Sequence, residues 1–585
     1  MPARLTRTAL GAAAVAAVAV VPIAPLLRAG FMYDDTTLIR DNAWMHRWHG
    51  VLDVWTHPYW PTVGPDRLGL YRPLHVALLT TVWNLGGGTA LAFHLYTLAL
   101  AGCAAVAVWW MVRRATSAGA AFAGALIFAS HPLHVEAVAS AANSAELLVA
   151  LATIALVALL WRRDAMSRGR WTLVALAAVA ALLSKESGLL SLPVALVTVW
   201  GWRAAENREA TSAPQQWRDV VRRDARGLLL AAAGLAAALV ARRLVLGAAV
   251  TRTSIAAQGM PEPAGARIEM MLALWPRLAS MLVWPSSLAP YYGPTLVPAH
   301  RLAVALLAAA CLASAGALAV LAARRGDRRP LVALAWLVLS YLPASNLLVA
   351  TGQIMSDRTL YGASIGTALA AAWLVEVATP RARRVLWLAV AALVLHGVGT
   401  STTYAFAWRT HRALWTRLIA MEPAEHLGYK LLGMDARARG EQARAVMLLA
   451  QARAMAPADR QIRFEYAQAL YATGRHAEAA AELGRLLRDR DVRDEPGTVG
   501  LYLDAVGRSR GAQAVVDAAH PLLGSASGAA AALYAAVALE RLGRPAAADS
   551  MYGVGLRIAP GDTALLARRD ALRRTTTPAA GYKGR

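Results

Sequence analysis

The stretch 9–35, ALGAAAVAAVAVVPIAPLLRAGFMYDD, decides how this chain is read. Its first part is an apolar run long enough to cross a bilayer, which takes about 20 residues for a core of roughly 30 Å. It ends in two carboxylates, Asp34 and Asp35, placed where such a helix leaves the membrane. Arg4 and Arg7 in front of the run resemble the start of a signal peptide. The apolar core is longer than the usual segment of about 7–15 residues, so it reads as a retained first span.

Working outward from this stretch, apolar runs recur as far as residue 406. Spans are expected near 9–29, 91–112, 118–138, 143–161, 171–184, 187–202, 227–247, 301–323, 331–350, 358–377 and 385–406. With 57% hydrophobic residues and a mean hydropathy of +0.41, the expected fold class is all-α. It is a polytopic membrane bundle of about eleven transmembrane helices over 1–410, followed by a soluble helical unit over 420–575 and an unstructured tail over 576–585. A net charge of +24 would suit a nucleic-acid binder. No zinc-finger, basic-zipper or RNA-recognition pattern accompanies it, so no nucleic acid is expected.

The arginines orient the bundle instead. They cluster at 113–114, 162–170, 203–226, 324–329 and 381–384. With the N-terminus inside, all five clusters fall on the cytoplasmic side, as positively charged loops do. The odd span count then puts the C-terminal unit outside. Trp109, Trp110, Trp161, Trp171, Trp200, Trp202 and Trp336 lie near span ends, where interfacial aromatics belong. The two cysteines, Cys103 and Cys311, sit inside spans and make no disulfide framework.

The outer face collects the unusual polar residues. The loop 30–90 carries Asp34, Asp35 and Arg72, and the next outer turn carries His131, His134 and Glu136. A third turn carries Lys185 and Glu186, and a fourth carries Ser345, Asn346, Asp357 and Arg358. The segment 248–300 is also outside, with 267–285 expected as one amphipathic helix along the interface.

From about 422 the pattern changes to paired amphipathic helices. Turn glycines are expected at Gly440, Gly474, Gly507 and Gly543, and Pro423 and Pro457 keep the same period of 34. Second helices read GEQARAVMLLAQA (440–452), GRHAEAAAELGRL (474–486) and GRPAAADSMYGVGL (543–556). A 34-residue helix–turn–helix period is the tetratricopeptide signature. Stacked pairs of this kind form a solenoid with a concave face suited to peptide segments.

Outside the cytoplasm no nucleotide sugar is available, so a transferase there draws on a polyprenyl-phosphate sugar lying in the bilayer. Its acceptor hydroxyl needs a carboxylate to take its proton, and the departing phosphate needs fixed cations or a metal. Asp34 is the expected base and Asp35 its partner in hydrogen bonding or metal binding. Repulsion between the two would raise one pKa if both faced one cavity. Arg72, Lys185 and Arg358 are candidate phosphate ligands, with Arg242 and Arg243 behind them; Lys185 is the only lysine before Lys430. An interfacial salt bridge is the competing role for each, and for Lys185 a brace to Glu186. His131, His134 and Glu136 are spaced for a hydrogen-bonded cluster or a divalent metal. Asn143 and Glu146 read as a capping box.

The strings FMYDD, YRPL, HPLHVEAVA, SKESG, PASN and SDRTLY occur in this order. The set resembles the transmembrane and tetratricopeptide O-mannosyltransferases, the TMTC proteins of animals, and their bacterial relatives, over about 30–575. The resemblance implies a GT-C fold, a dolichyl- or polyprenyl-phosphate mannose donor, and protein Ser/Thr hydroxyls as acceptors. It also implies catalysis by the acidic pair, here Asp34 and Asp35. Asp357 departs from it, standing where Glu is expected. The Ala/Arg-rich composition suggests a bacterial inner membrane. The alternatives are a transferase acting on a lipid or glycan, a non-catalytic scaffold presenting the repeats, and a transporter.

Overall fold

The computed structural model describes residues 2–60, 69–161, 167–206, 217–218, 221–247, 263–351 and 353–576, and among these it contains helices and no strand. The rest of the outer loop (61–68), most of the arginine loops at 162–166 and 207–220, the start of the 248–300 segment and the tail 577–585 lie outside the described residues. The chain divides into two compact units, Met1–Glu422 and Pro423–Arg585. The division falls later than residue 410 because helix His411–Met421 packs on the first unit. Trp415 there lies edge-on to Tyr33 at 5.5 Å, and Arg417 donates to the Leu288 carbonyl at 2.9 Å.

The apolar runs become helices because lipid leaves each backbone group to find its partner within the segment. Among the described residues seven helices are long and apolar enough to cross a membrane: Thr8–Arg28, Ala90–Val112, Ala141–Trp161, Ala225–Leu246, Arg301–Arg324, Asp357–Val377 and Pro380–Ala407. The other four expected spans form shorter helices, Ala118–Ala129, Arg168–Ser184, Ser191–Glu206 and Arg329–Tyr341. Ala118–Ala129 has 12 residues, about 18 Å of helix at 1.5 Å per residue. It stops short because the chain turns at His131–Pro132 and starts again as His134–Ala139. From 128 to 147 every residue is buried. What looked like a surface turn is therefore the interior of the bundle, where irregular backbone is tolerated because protein surrounds it.

Two further differences concern the segments that join the spans. Residues 73–85 form an apolar helix, Pro73–Leu85, with Pro73 in its first turn, where a missing N–H costs nothing. The expected amphipathic helix at 267–285 is two, Ala264–Ala273 and Trp275–Val283, broken just before Pro276.

One end of the bundle holds arginine and tryptophan. Arg113 lies over Trp109 at 4.7 Å, Arg114 over Trp110 at 4.6 Å, and Arg328 over Trp200 at 4.4 Å. Arg170 donates to the Leu159 carbonyl at 2.7 Å and Arg203 to that of Trp161 at 3.1 Å. These carbonyls are left open by the end of helix Ala145–Trp161, and cations there also suit its dipole.

The second unit is an α-solenoid of four tetratricopeptide-like helix pairs. The pairs are His426–Ala438 with Gln442–Met455, Arg460–Ala472 with His476–Leu486, Pro496–Arg510 with Ala512–Ala519, and Gly528–Arg541 with Pro545–Ile558. Thr563–Thr576 follows them. Successive helices pack on one another through small residues such as Ala445, Ala467, Ala479, Ala505 and Ala535. The turns need a left-handed residue, and glycine supplies it at Gly440, Gly474, Gly511 and Gly543, with φ of 78°, 78°, 84° and 67°. Gly507 is not a turn residue. It lies inside helix Pro496–Arg510, so the third turn comes four positions later than the period suggests.

Candidate active site

The two aspartates do different work. Asp35 is 1% exposed. It accepts hydrogen bonds from Ser140 Oγ at 2.8 Å, Ala141 N at 3.1 Å and Ala142 N at 2.8 Å. Those groups open the turn that leads into the span Ala141–Trp161, so Asp35 fastens the loop after the first span to the start of that span. Open N–H groups at a helix start favour a carboxylate. Burial pushes the Asp35 carboxyl up to about 7 against these three hydrogen bonds, and Asp34 is the smallest contributor. Repulsion between the pair is thus not what perturbs it.

Asp34 is half-buried and makes no hydrogen bond or ion pair among the described residues. Burial pushes its carboxyl above the usual 3.8; Arg358 opposes that, Glu136 adds to it, and Arg72 opposes it. The residue before it, Tyr33, has φ of 51°, in the left-handed region that side chains avoid. Helix His411–Met421 faces this turn, with His411 Nε2 3.4 Å from the Tyr33 N–H. Strain of this kind persists only where the surroundings impose it.

Arg358 and Arg72 act electrostatically on Asp34, and each of the expected cations is paired with a carboxylate far away in sequence. Arg72 donates twice to Glu186, at 2.9 and 2.7 Å, and its guanidinium lies 5.0 Å from the Tyr59 ring centre. Arg242 reaches the other Glu186 oxygen at 3.1 Å and the Gly69 carbonyl at 2.6 Å. Burial pushes Glu186 up, but Arg72 and Arg242 outweigh it and hold the carboxyl down at about 2. Lys185 pairs with Glu146, not with Glu186. The Asn143–Glu146 capping box is therefore absent: Glu146 serves Lys185, and Asn143 Nδ2 lies 3.4 Å from the Glu136 carbonyl. Arg358 pairs with Glu136 through its side chain and, at 2.9 Å, through its backbone N–H. The side chains of Arg72, Lys185 and Arg358 remain 14%, 14% and 12% exposed. Arg243 is exposed and takes no part in the cluster.

Local structure explains the motifs. Gly188 lies so close to helix Arg168–Ser184 that a Cβ would sit 2.1 Å from the Ala181 carbonyl. Only glycine allows this approach, which sets Lys185 and Glu186 against the bundle. Asn346, at φ 57°, ties its loop with bonds to the Gln353 carbonyl at 2.7 Å and from the Thr351 N–H at 2.8 Å. That loop presents Gln353 Oε1 to Arg358 at 3.0 Å.

His131, His134 and Glu136 do not converge on one point. His131 Nε2 meets the Leu282 carbonyl at 3.1 Å and His134 Nε2 meets Ser364 Oγ at 2.9 Å, while Glu136 is taken by Arg358. Among the described residues no group of three or more His, Cys, Asp or Glu side chains is placed to hold a metal ion. The two histidines pack the buried turn, His134 against Phe128 and Tyr361. Asp357 is buried as well and accepts from Tyr292 Oη at 2.5 Å. Sequence reading passed over Glu146 as a ligand for Lys185, and over Tyr59, Tyr292 and Gln353. The buried glutamate at the start of an apolar span was the available signal, since such a charge needs a partner.

The fold and site define a polytopic helical membrane protein with a buried ionic cluster and one open carboxylate, joined to a helical-repeat unit. The chain is similar to protein O-mannosyl-transferase Tmtc1 of Drosophila melanogaster, 34% identical over 173 residues, which are 28% of this chain and 20% of that protein. It is similar to Tmtc2 of the same organism, 32% identical over 180 residues, 29% of this chain and 19% of that one. It is also similar to TMTC3 of Mus musculus, 28% identical over 124 residues, 21% of this chain and 14% of that one. The chain thus spans about a fifth of the length of the first two of these relatives. No family model matches it. A crystal structure of the APC/C hetero-tetramer Cut9-Hcn1 aligns with 73% of the chain and 89% of its own, at 13% identity and a TM-score of 0.22, too low to bear on the fold.

Proposed function

We propose that the chain is an inverting GT-C glycosyltransferase of the inner membrane. It transfers a sugar, mannose by the relatives' names, from a polyprenyl phosphate to Ser/Thr hydroxyls of proteins on the extracytoplasmic side. The observation that carries this is Asp34: a half-buried carboxylate whose side chain has no partner among the described residues, within electrostatic reach of the partly exposed Arg72 and Arg358.

The acceptor oxygen attacks the anomeric carbon from the face opposite the phosphate. Its proton passes to Asp34 as the new C–O bond forms. The bond from the anomeric carbon to the phosphate oxygen breaks, and the electron pair leaves with the polyprenyl phosphate. The raised Asp34 carboxyl is a better proton acceptor than a solvated one. Arg72, Lys185 and Arg358 keep N–H groups their glutamates do not use, since guanidinium has five donors and ammonium three. Those free donors meet the growing phosphate charge, while Glu186, Glu146 and Glu136 hold the cations in place beforehand. A lone open carboxylate does not make a metal site, and no step here runs through a metal.

The test is a donor screen. Purified protein is given radiolabelled polyprenyl-phosphate sugars and a mixture of periplasmic proteins. Label from the mannosyl donor, recovered on protein and released by mild alkali, is the expected result. Label confined to lipid or free glycan, or absent with every donor, contradicts the proposal.

A further inference from the structure

We propose that the groove in the C-terminal half of the repeat unit takes an acidic peptide segment through Arg541 and Arg568. This rests on the reading above that the acceptors are proteins, and it adds which segments the repeats select.

The groove has a volume of about 590 Å³ and is formed by helices Pro496–Arg510, Ala512–Ala519, Gly528–Arg541 and Thr563–Thr576. That lies within the range of ordinary ligand sites, about 300–1,000 Å³. Three arginines line it. Arg508 is already neutralised: it donates to Asp504 at 2.9 Å and lies 5.5 Å from the Tyr471 ring centre. Arg541 and Arg568 are exposed and make no ion pair or hydrogen bond among the described residues. Arg541 ends helix Gly528–Arg541, where a cation also suits the helix dipole. Arg568 sits inside Thr563–Thr576, and that explanation does not reach it.

The surrounding charge points the same way. Residues 423–495 hold twelve basic and eleven acidic residues, whereas 496–576 hold nine and six. The excess is three in the half that contains the groove and one in the other. Asp504 also lines the groove, where Arg508 and Tyr471 hold it, and the rest of the wall is apolar, with Leu533 and Val537 beside Tyr534. Free guanidinium groups beside an apolar wall fit carboxylates and an apolar side chain presented together, which a peptide does and a small anion does not.

The test uses the full-length protein in detergent and two labelled Ser/Thr peptides. One is flanked by Asp and Glu, the other by Asn and Gln at the same positions. Fluorescence anisotropy should show the acidic peptide binding on the order of tenfold tighter at low salt, a modest gain of the size exposed ion pairs supply. The preference should shrink at high salt. It should vanish in Arg541→Glu/Arg568→Glu and survive in Arg544→Glu, an exposed arginine outside the groove. Equal binding of both peptides, or a preference that survives the double reversal, overturns the proposal. Sugar transfer to the neutral peptide is measured separately. An intact acidic preference without any transfer counts against the transferase reading alone. Transfer without the preference counts against the groove alone.

Discussion

The two ends of the membrane bundle use arginine in opposite ways. At one end Arg113, Arg114 and Arg328 lie over tryptophan rings, and Arg170 and Arg203 close off helix carbonyls. At the other, Arg72, Arg242 and Arg358 are each held by a glutamate. The first end uses charge to hold a helix end at an interface. The second pairs its cations with glutamates and leaves the Asp34 side chain without a partner among the described residues. The lesson is that the cations of the second end are held by carboxylates distant in sequence, whereas the ion pair of the first end, Arg329–Asp327, is local.

The largest effect expected from this contrast is all-or-none. A reporter active only outside the cytoplasm should work when fused after residue 420 and stay silent when fused within 203–226. The reverse pattern would put the paired cluster in the cytoplasm and remove the reason for a lipid-linked donor. Next comes the strength of the pairs. Glu136 is fully buried, so Glu136→Gln strands Arg358 and should cost about 3–5 kcal/mol in thermal unfolding. Arg329→Gln, at the other end, breaks only the partly exposed pair with Asp327 and should cost less than about 1 kcal/mol. Equal losses would erase the distinction between the two ends.

A smaller effect concerns pH. The Glu186 carboxyl is lowered from 4.5 to about 2, so its stabilisation is complete above 4.5 and fades as pH falls toward 2. The Asp35 carboxyl is raised from 3.8 to about 7, so its contribution is complete below 3.8 and fades as pH rises toward 7. Between pH 4.5 and 7 the second dominates, and melting temperature should decline with a slope that Asp35→Asn flattens. An unchanged slope in that variant would mean Asp35 stays ionised on its three donors. A modest effect is expected for Ser140→Ala, which removes one of those donors and should cost about 1 kcal/mol.

The organisation of the chain was legible because it is written in local pattern. Apolar runs and arginine clusters locate the helices, and a 34-residue period locates the repeats. The place of Asp34 at the mouth of the first span was legible for the same reason. The pairings were not. Arg72–Glu186, Lys185–Glu146 and Arg358–Glu136 join residues 114, 39 and 222 positions apart, and no periodicity encodes them. Neither could spacing separate Asp34 from Asp35, which differ only in which one meets the open N–H groups at Ala141 and Ala142. The third repeat turn was misplaced by the same limitation, because Gly507 and Gly511 are both glycines and only the backbone shows which one turns.

The central claim is that Asp34 takes the proton and Asp35 holds the loop. It is tested most directly by comparing Asp34→Asn with Asp35→Asn, measuring both single-turnover transfer per folded molecule and thermal unfolding. The account predicts that Asp34→Asn melts like the unmodified protein and transfers about 10²–10⁴ times more slowly. It predicts that Asp35→Asn melts earlier and, where folded, transfers within a few-fold of normal. Normal transfer by Asp34→Asn, or a loss of transfer found only in well-folded Asp35→Asn, would contradict it.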